Sequence, residues 1–195
     1  MAVTLFTIGH STRGIDELLG LLAEHGIETL IDVRRFPASR RHPQFSRDAL
    51  AASLAAAGIA YVHEPDLGGR RQPQAGSPNT AWRVAAFRGY ADYMGSEPFA
   101  AALGRLLGLA ARSRTAMMCA EAVPWRCHRR LIADAATAAG AEVRHILGPG
   151  RAERHQLDQN ARSSPGRTPR GSGWSTTAAR GRRRRSCLSR RANLA

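Results

Sequence analysis

The feature that most constrains the fold of this chain is the alternation of short apolar runs with longer segments of helical periodicity between residues 3 and 147. The apolar runs predict five strands, at residues 3–8, 29–33, 59–63, 115–119 and 142–147. Strands that alternate with helices pair in parallel, and right-handed crossovers place the helices on both faces of the sheet. The sequence therefore predicts an α/β fold, a single three-layer domain with a mainly parallel five-stranded sheet.

Between these strands, capping residues, glycine and proline bound the segments of helical periodicity, at residues 11–26, 46–58, 82–111 and 124–139. The third segment is interrupted near residues 95–98, so it predicts two helices. Residues 65–81 hold three prolines and three glycines and predict a long loop instead. Loops of this length inside a compact domain are usually functional or mobile.

The basic charge of the chain is concentrated at its carboxyl end. All 29 basic side chains are arginine, against 15 acidic ones, and residues 151–195 hold 12 of these arginines but only two acids. From about residue 161 onward Ser, Gly, Pro and Arg dominate, so this segment cannot bury enough apolar surface to offset the entropy of ordering it. We expect a folded domain over residues 1–158 and a disordered, Arg/Ser/Gly-rich tail over residues 159–195. The tail is interpreted as a segment that clings to nucleic acid, a tail without a specific role, or a non-native extension.

Cysteine usage and the amino terminus indicate the compartment. Cys119, Cys127 and Cys187 are an odd and sparse set, which does not make a secreted disulfide framework. The first ten residues lack the pattern of a signal peptide, and no run of about 18 apolar residues could span a membrane. The expectation is a soluble protein of the reducing cytoplasm.

Reactive side chains cluster at the predicted carboxyl ends of the strands, where open parallel sheets bind their ligands. The predicted catalytic residues are Cys127, Asp32, Glu121, Cys119 and His128, and the predicted anion-binding residues are Arg34, Arg129, His10 and Ser11. Cys127 is expected in the first turn of a helix, where the dipole and flanking arginines should lower the pKa of its thiol. The carboxylates would act as a general base or position a water, and the arginines would hold the anion.

Structural roles compete with these assignments. Asp32 could instead pair with Arg34, with Arg126 or with a helix start. Cys119 could instead be a small buried side chain of the core. Six residues separate Cys119 from Arg126, one more than the loop of cysteine phosphatases has. Seven residues separate Cys119 from Cys127, which exceeds the spacing of a structural zinc knuckle. Without lysine or a Gly-x-Gly-x-x-Gly sequence, ordinary ATP or dinucleotide binding is disfavoured.

Five ordered segments resemble the bacterial and archaeal family known as domain of unknown function 488. They are Thr7-Ile8-Gly9-His10-Ser11; Ile31-Asp32-Val33-Arg34 with Pro37 and Ser39; Gly58-Ile59-Ala60-Tyr61 with Pro65 and Leu67-Gly68-Gly69; Phe87-Arg88-Gly89-Tyr90; and Met118-Cys119-Ala120-Glu121 with Pro124 and Cys127-His128-Arg129. The resemblance spans about residues 3–147. It implies an α/β domain whose segment residues form a shared site, without a settled activity. The arginine-rich stretch from about Arg162 departs from the family, whose members tend to end soon after the fifth strand.

The favoured function is an enzyme acting on a phosphate-bearing or other anionic substrate, such as a nucleotide or a component of nucleic acid, at the carboxyl edge of the sheet. Two alternatives stay open. One is a non-catalytic module that binds nucleic acid or protein; the other is a metal-binding protein with ligands drawn from His10, Cys119, Cys127 or His128, although no spacing argues for a metal site. The expected partner is an anionic small molecule or a nucleic acid, and the sequence assigns no cofactor and no oligomeric state.

Overall fold

A computed structural model of the chain describes residues 3–38 and 40–157. Within these ranges the strands and helices follow the predicted alternation, apart from one additional strand at the end. In chain order they are β1 Thr4–Gly9, α1 Ile15–Glu24, β2 Thr29–Asp32, α2 Arg47–Ala56, β3 Ala60–His63, α3 Ala85–Tyr93, α4 Glu97–Ala110, β4 Thr115–Cys119, α5 Arg129–Ala138, β5 Glu142–Gly148 and β6 Arg151–Arg154. The predicted tail at 159–195 and the family residue Ser39 lie outside the described residues.

The strands form one sheet in the order β3-β2-β4-β1-β5-β6. All neighbours pair in parallel except β6, which runs antiparallel to β5. The α/β fold with a mainly parallel sheet is thus confirmed, with six strands rather than five. The sequence of β6, Arg-Ala-Glu-Arg, lacks apolar alternation; the strand forms through main-chain pairing after a turn at Gly150, whose φ is +64°.

Helices cover both faces of the sheet, which confirms the three layers. Because successive strand residues point to opposite faces, Leu5 belongs to one core and Phe6 to the other. The first core packs against α3, α4 and α5, and the second packs against α1 and α2. None of the helices in the described ranges is both long enough and apolar enough to cross a membrane.

The two central strands open a crevice at the carboxyl edge. Gly9 at the end of β1 pairs in register with Cys119 at the end of β4. The helix that follows β1 packs on one face through Leu18, whereas the helix that follows β4 packs on the other face through Leu131. The chain leaves these two neighbouring parallel strands toward opposite faces of the sheet, which creates a crevice between them. Open α/β sheets bind their ligands in such a crevice.

The predicted break between α3 and α4 is confirmed by the structure. Ser96 caps α4 by accepting a hydrogen bond from the backbone N–H of Phe99 at 3.4 Å.

The last helix, α5, starts later in the chain than the sequence predicts. Residues Pro124–Arg126 form a single 3₁₀ turn, Cys127 is extended, and α5 begins only at Arg129. The prediction that Cys127 lies in the first turn of a helix was therefore wrong.

Candidate active site

A cleft of about 750 Å³ opens at the carboxyl edge of the sheet. Its walls come from the segments after β1, β2 and β4, from the loop before α3 and from the start of α3. Seven of the nine predicted site residues line it: His10, Ser11, Arg34, Cys119, Glu121, Cys127 and His128. The other two, Asp32 and Arg129, are fully buried and do not line the cleft.

The floor of the cleft holds a cluster of two thiols and one imidazole, from Cys119, Cys127 and His128. Nδ1 of His128 lies 3.8 Å from Sγ of Cys119 and 3.6 Å from Sγ of Cys127. Nε2 of His128 lies 3.3 Å from the carbonyl oxygen of Val33, which can only accept a hydrogen bond. In the neutral ring the proton therefore sits on Nε2, and the lone pair of Nδ1 faces the two sulfur atoms.

The two thiols do not have equal acidity. The hydrogen bond that Cys127 donates lowers the pKa of Cys119 well below its usual value, and a proton on Nδ1 of His128 would lower it further. The same bond and burial raise the pKa of Cys127. Cys119 is therefore the more acidic of the two thiols, and the sequence-based expectation of a lowered pKa at Cys127 was wrong, because the deciding contact comes from another thiol rather than from a helix start.

Behind one wall, Asp32 fixes the position of Arg34. The guanidinium of Arg34 forms two side-chain hydrogen bonds to the carboxylate, and the hydroxyl of Tyr61 donates to Oδ2 at 2.9 Å. Nη1 of Arg34 also lies 3.2 Å from Nε2 of His10, whose Nδ1 donates to the carbonyl of Ser11. Burial and the charge of Arg34 lower the pKa of His10 to about 4. Asp32 thus pairs with Arg34, as one of the structural alternatives had suggested.

Arg129 connects the ends of β1 and β4 from inside the protein. Its Nη1 donates to the carbonyls of Ile8 at 2.7 Å and Glu121 at 3.1 Å, and its Nη2 donates to the carbonyl of Ala122 at 3.3 Å. Gly9 permits this approach, since a Cβ there would lie 1.8 Å from the carbonyl oxygen of Glu121. These contacts give Arg129 the role of holding the loop after β4, whereas direct anion binding stays a sequence-based prediction.

The upper part of the cleft is strongly basic. Among the residues that the structure describes, five arginines and a single acidic residue, Glu121, line it; the arginines are Arg34, Arg35, Arg41, Arg70 and Arg126. Phe36 and Val84 line it as well, with 61% and 57% of their surface exposed. The sequence-based selection missed Arg41, Arg70 and Phe36. The available signals were the paired arginines at 34–35, 40–41 and 70–71 and the long loop at residues 65–81.

The basic surface continues beyond the cleft into a second hollow of about 530 Å³. Arg35 and Arg70 line both cavities, so the two are adjacent. In the second hollow the guanidinium carbon of Arg71 lies 3.6 Å from the ring centroid of Tyr93, a cation–π contact. A ligand longer than the first cleft would therefore meet further cationic groups.

Comparison with known protein families matches residues 14–136, more than half of the chain, to a family described as "Domain of unknown function DUF488". The matched range contains the cluster of Cys119, Cys127 and His128 and begins after His10 and Ser11. No curated protein and no solved structure matches the chain.

Proposed function

The chain belongs to the family of domain of unknown function DUF488, and we propose that its cleft binds and acts on a phosphate-bearing anionic substrate, such as a nucleotide or a component of nucleic acid. The observation that supports this is the set of five arginines above a floor of two thiols and an imidazole. Guanidinium groups match the planar geometry of phosphate and carboxylate oxygens. Arg34, which Asp32 and His10 hold in place, would meet the anion with little loss of side-chain entropy.

The exposed apolar side chains favour a substrate with a planar, apolar part. Phe36 and Val84 stand in the wall of the cleft beside its arginines, and the guanidinium of Arg35 lies 5.6 Å from the Phe36 ring centroid. Aromatic rings and guanidinium planes stack on nucleobases. Inorganic phosphate alone would leave this apolar surface uncovered, whereas a nucleotide would cover it.

The chemistry is assigned to the floor of the cleft. Cys119, Cys127 and His128 are the reactive groups there, and the exposed carboxylate of Glu121 lines the same cleft. A carboxylate in this position suits a general base or a group that orients water. Asp32 and Arg129 act as positioning residues, because their polar atoms contact Arg34 and main-chain carbonyls.

The test is a ligand panel measured on the full chain by calorimetry, with inorganic phosphate, nucleoside monophosphates and short oligonucleotides. Arg41→Ala and Arg126→Ala remove exposed cleft arginines, and Arg112→Ala is the matched control because it is exposed and lines neither cavity. We expect each cleft variant to weaken binding about tenfold or more, as for a charge-assisted hydrogen bond of about 1.5–3 kcal/mol, with the control unchanged. Equal effects of all three substitutions would show that binding reflects net charge alone.

Turnover is measured on every ligand that binds, by chromatography of the products and by release of inorganic phosphate. We expect Glu121→Gln to reduce turnover while leaving the dissociation constant within about threefold, since its carboxylate is assigned to the reaction and the arginines to binding. Cleft-dependent binding with no turnover of any ligand would favour the non-catalytic binding module instead.

A further inference from the structure

We infer that Cys119, Cys127 and His128 bind a single zinc ion at the floor of the cleft, with one coordination position left open toward the substrate. This inference deepens the proposed function, because the cluster is the floor of the same cleft. The ion itself can nevertheless be measured without any substrate. The three residues come from the end of β4 and the segment just before α5, which the fold brings together although seven residues separate the cysteines.

The separations between the donor atoms suit a tetrahedral zinc site. Zinc binds thiolate sulfur at about 2.3 Å and imidazole nitrogen at about 2.0–2.1 Å, so tetrahedral angles require sulfur-to-nitrogen separations of about 3.5 Å. The two observed separations to Nδ1 of His128 are 3.6 Å from Cys127 and 3.8 Å from Cys119. All three donor atoms lie within 4.8 Å of one another.

The contacts around the cluster are those that orient metal ligands. A ligating histidine usually donates its other ring N–H to a carbonyl or carboxylate, and Nε2 of His128 faces the carbonyl of Val33. The backbone N–H of Arg129 donates to Sγ of Cys127 at 3.4 Å. Gly69 packs closely against the imidazole, and a Cβ at this position would crowd Nδ1 of His128 at 2.8 Å. The donor atom is thus oriented, and glycine at position 69 keeps a side chain away from it.

The number of ligands distinguishes a reactive site from a structural one. Within the described residues the cluster offers three protein donors, whereas structural zinc sites have four. Zinc binding would release the two thiol protons to solvent, and the neutral centre of Zn²⁺ with two thiolates would take a water in its fourth position. All three ligands line the cleft, so this water would face the bound anion, and Glu121, which lines the same cleft, would accept its proton.

The experiment uses the full chain loaded with zinc or cobalt, freed of excess ion by dialysis. We expect one zinc per chain by elemental analysis. The cobalt form should show a thiolate-to-cobalt charge-transfer band and the intense visible bands of a tetrahedral site. Cys127→Ser and His128→Asn should weaken cobalt binding at least about 100-fold, because even loss of an outer partner of a ligand costs about 10–100-fold. Cys187→Ser is the matched control and should bind as the unaltered chain does.

A second readout keeps the inference testable where a variant fails to fold. In Cys187→Ser, zinc should protect both remaining thiols from an aromatic disulfide reagent, and a chelator should expose them again. Substoichiometric zinc, unprotected thiols, or cobalt bands that persist in Cys127→Ser would overturn the inference. Absence of zinc together with anion binding that still depends on Arg41 and Arg126 would leave the proposed function standing without the metal. Zinc binding without any anion binding that depends on Arg41 and Arg126 would support the metal site and overturn the proposed function.

Discussion

The guanidinium of Arg34 meets the carboxylate of Asp32 in two parallel hydrogen bonds, Nε to Oδ1 at 2.8 Å and Nη2 to Oδ2 at 2.6 Å. Both side chains are buried, and the backbone N–H of Arg34 adds a third bond to Oδ1 at 3.0 Å. A buried pair of this geometry fixes its arginine, since removing either partner leaves an uncompensated charge.

Arg34→Met should therefore lower the free energy of unfolding by about 3–5 kcal/mol, the usual cost of breaking a buried ion pair from one side. Urea denaturation measures the loss. Arg35→Met is the control, because Arg35 is exposed, and it should change stability by less than about 0.5 kcal/mol. Equal stabilities of the two variants would show that the pair contributes nothing to the fold.

His10 should remain neutral down to about pH 4. Burial and Arg34 lower its pKa, while the hydrogen bond to the Ser11 carbonyl, Cys119 and Asp32 act in the opposite direction. The unfolded chain takes up this proton near pH 6.5 and the folded chain only near pH 4, so stability falls as the pH drops through that window. Titration of the imidazole by NMR, assigned with His10→Gln, measures the pKa. A midpoint near 6.5 would contradict the burial of this ring against Arg34.

Two glycine-to-alanine substitutions should have opposite effects on stability. At Gly9 a Cβ would lie 1.8 Å from the carbonyl oxygen of Glu121, so the backbone after β4 must move and Gly9→Ala should be strongly destabilising. Gly20 is exposed within α1 and a Cβ there meets nothing within 4 Å. Gly20→Ala should raise stability by about 0.4–1 kcal/mol. Thermal unfolding of both variants is the measurement, and a harmless Gly9→Ala would refute the close approach.

Arg129→Met should lower the free energy of unfolding by about 3 kcal/mol or more. Its guanidinium donates to three carbonyls, of which the carbonyl of Ile8 is buried, and a buried acceptor left without a donor costs about 1–3 kcal/mol. Loss of the two partly buried hydrogen bonds adds to this cost. Arg129→Lys should recover little of the lost stability, because a single ammonium group does not reproduce the planar set of donors of the guanidinium. Arg126→Met, at an exposed neighbouring position, provides the control in urea denaturation. A stable Arg129→Met that loses only anion binding would restore the direct role predicted from the sequence.

Phe36→Ala should weaken the binding of a nucleotide without affecting that of inorganic phosphate. Loss of base stacking costs about 1–3 kcal/mol, which corresponds to about 5–150-fold in the dissociation constant. Trp125→Ala serves as the matched control, because Trp125 is 51% exposed but does not line the cleft. Calorimetric titration of both ligands against both variants decides the question. Equal loss for phosphate and nucleotide would remove the argument for a base-binding wall.

The gathering of the candidate site residues at one edge of the sheet could be predicted from the sequence because it depends on periodicity alone. Once the apolar runs are assigned to parallel strands, the residues that follow them must share one edge, and Cys119, His10 and Arg34 do so. What the sequence could not supply was the partner of each side chain. Whether Asp32 contacts Arg34 or solvent, and which of two thiols donates to the other, is decided by contacts a few ångströms long between different segments.

The dependence on contacts between distant segments also explains two further features of the structure that the sequence did not predict. Arg129 was predicted to bind an anion because it lies near a helix start, and its contacts with the carbonyls at the ends of two strands were not foreseen. β6 was missed because its sequence carries no apolar alternation. Main-chain hydrogen bonds to β5 determine this strand instead. In both cases the deciding interaction involves the backbone of a distant segment, which residue type and spacing do not encode.

The antiparallel strand β6 has a consequence for how this protein behaves at high concentration. Without it, β5 would form an outer edge whose unpaired main-chain groups offer a template for another chain. With it, the outermost described strand at this end is short and presents Arg151, Glu153 and Arg154 to solvent. A neighbouring molecule that tried to extend the sheet here would have to desolvate three charges, so the strand opposes edge-to-edge aggregation.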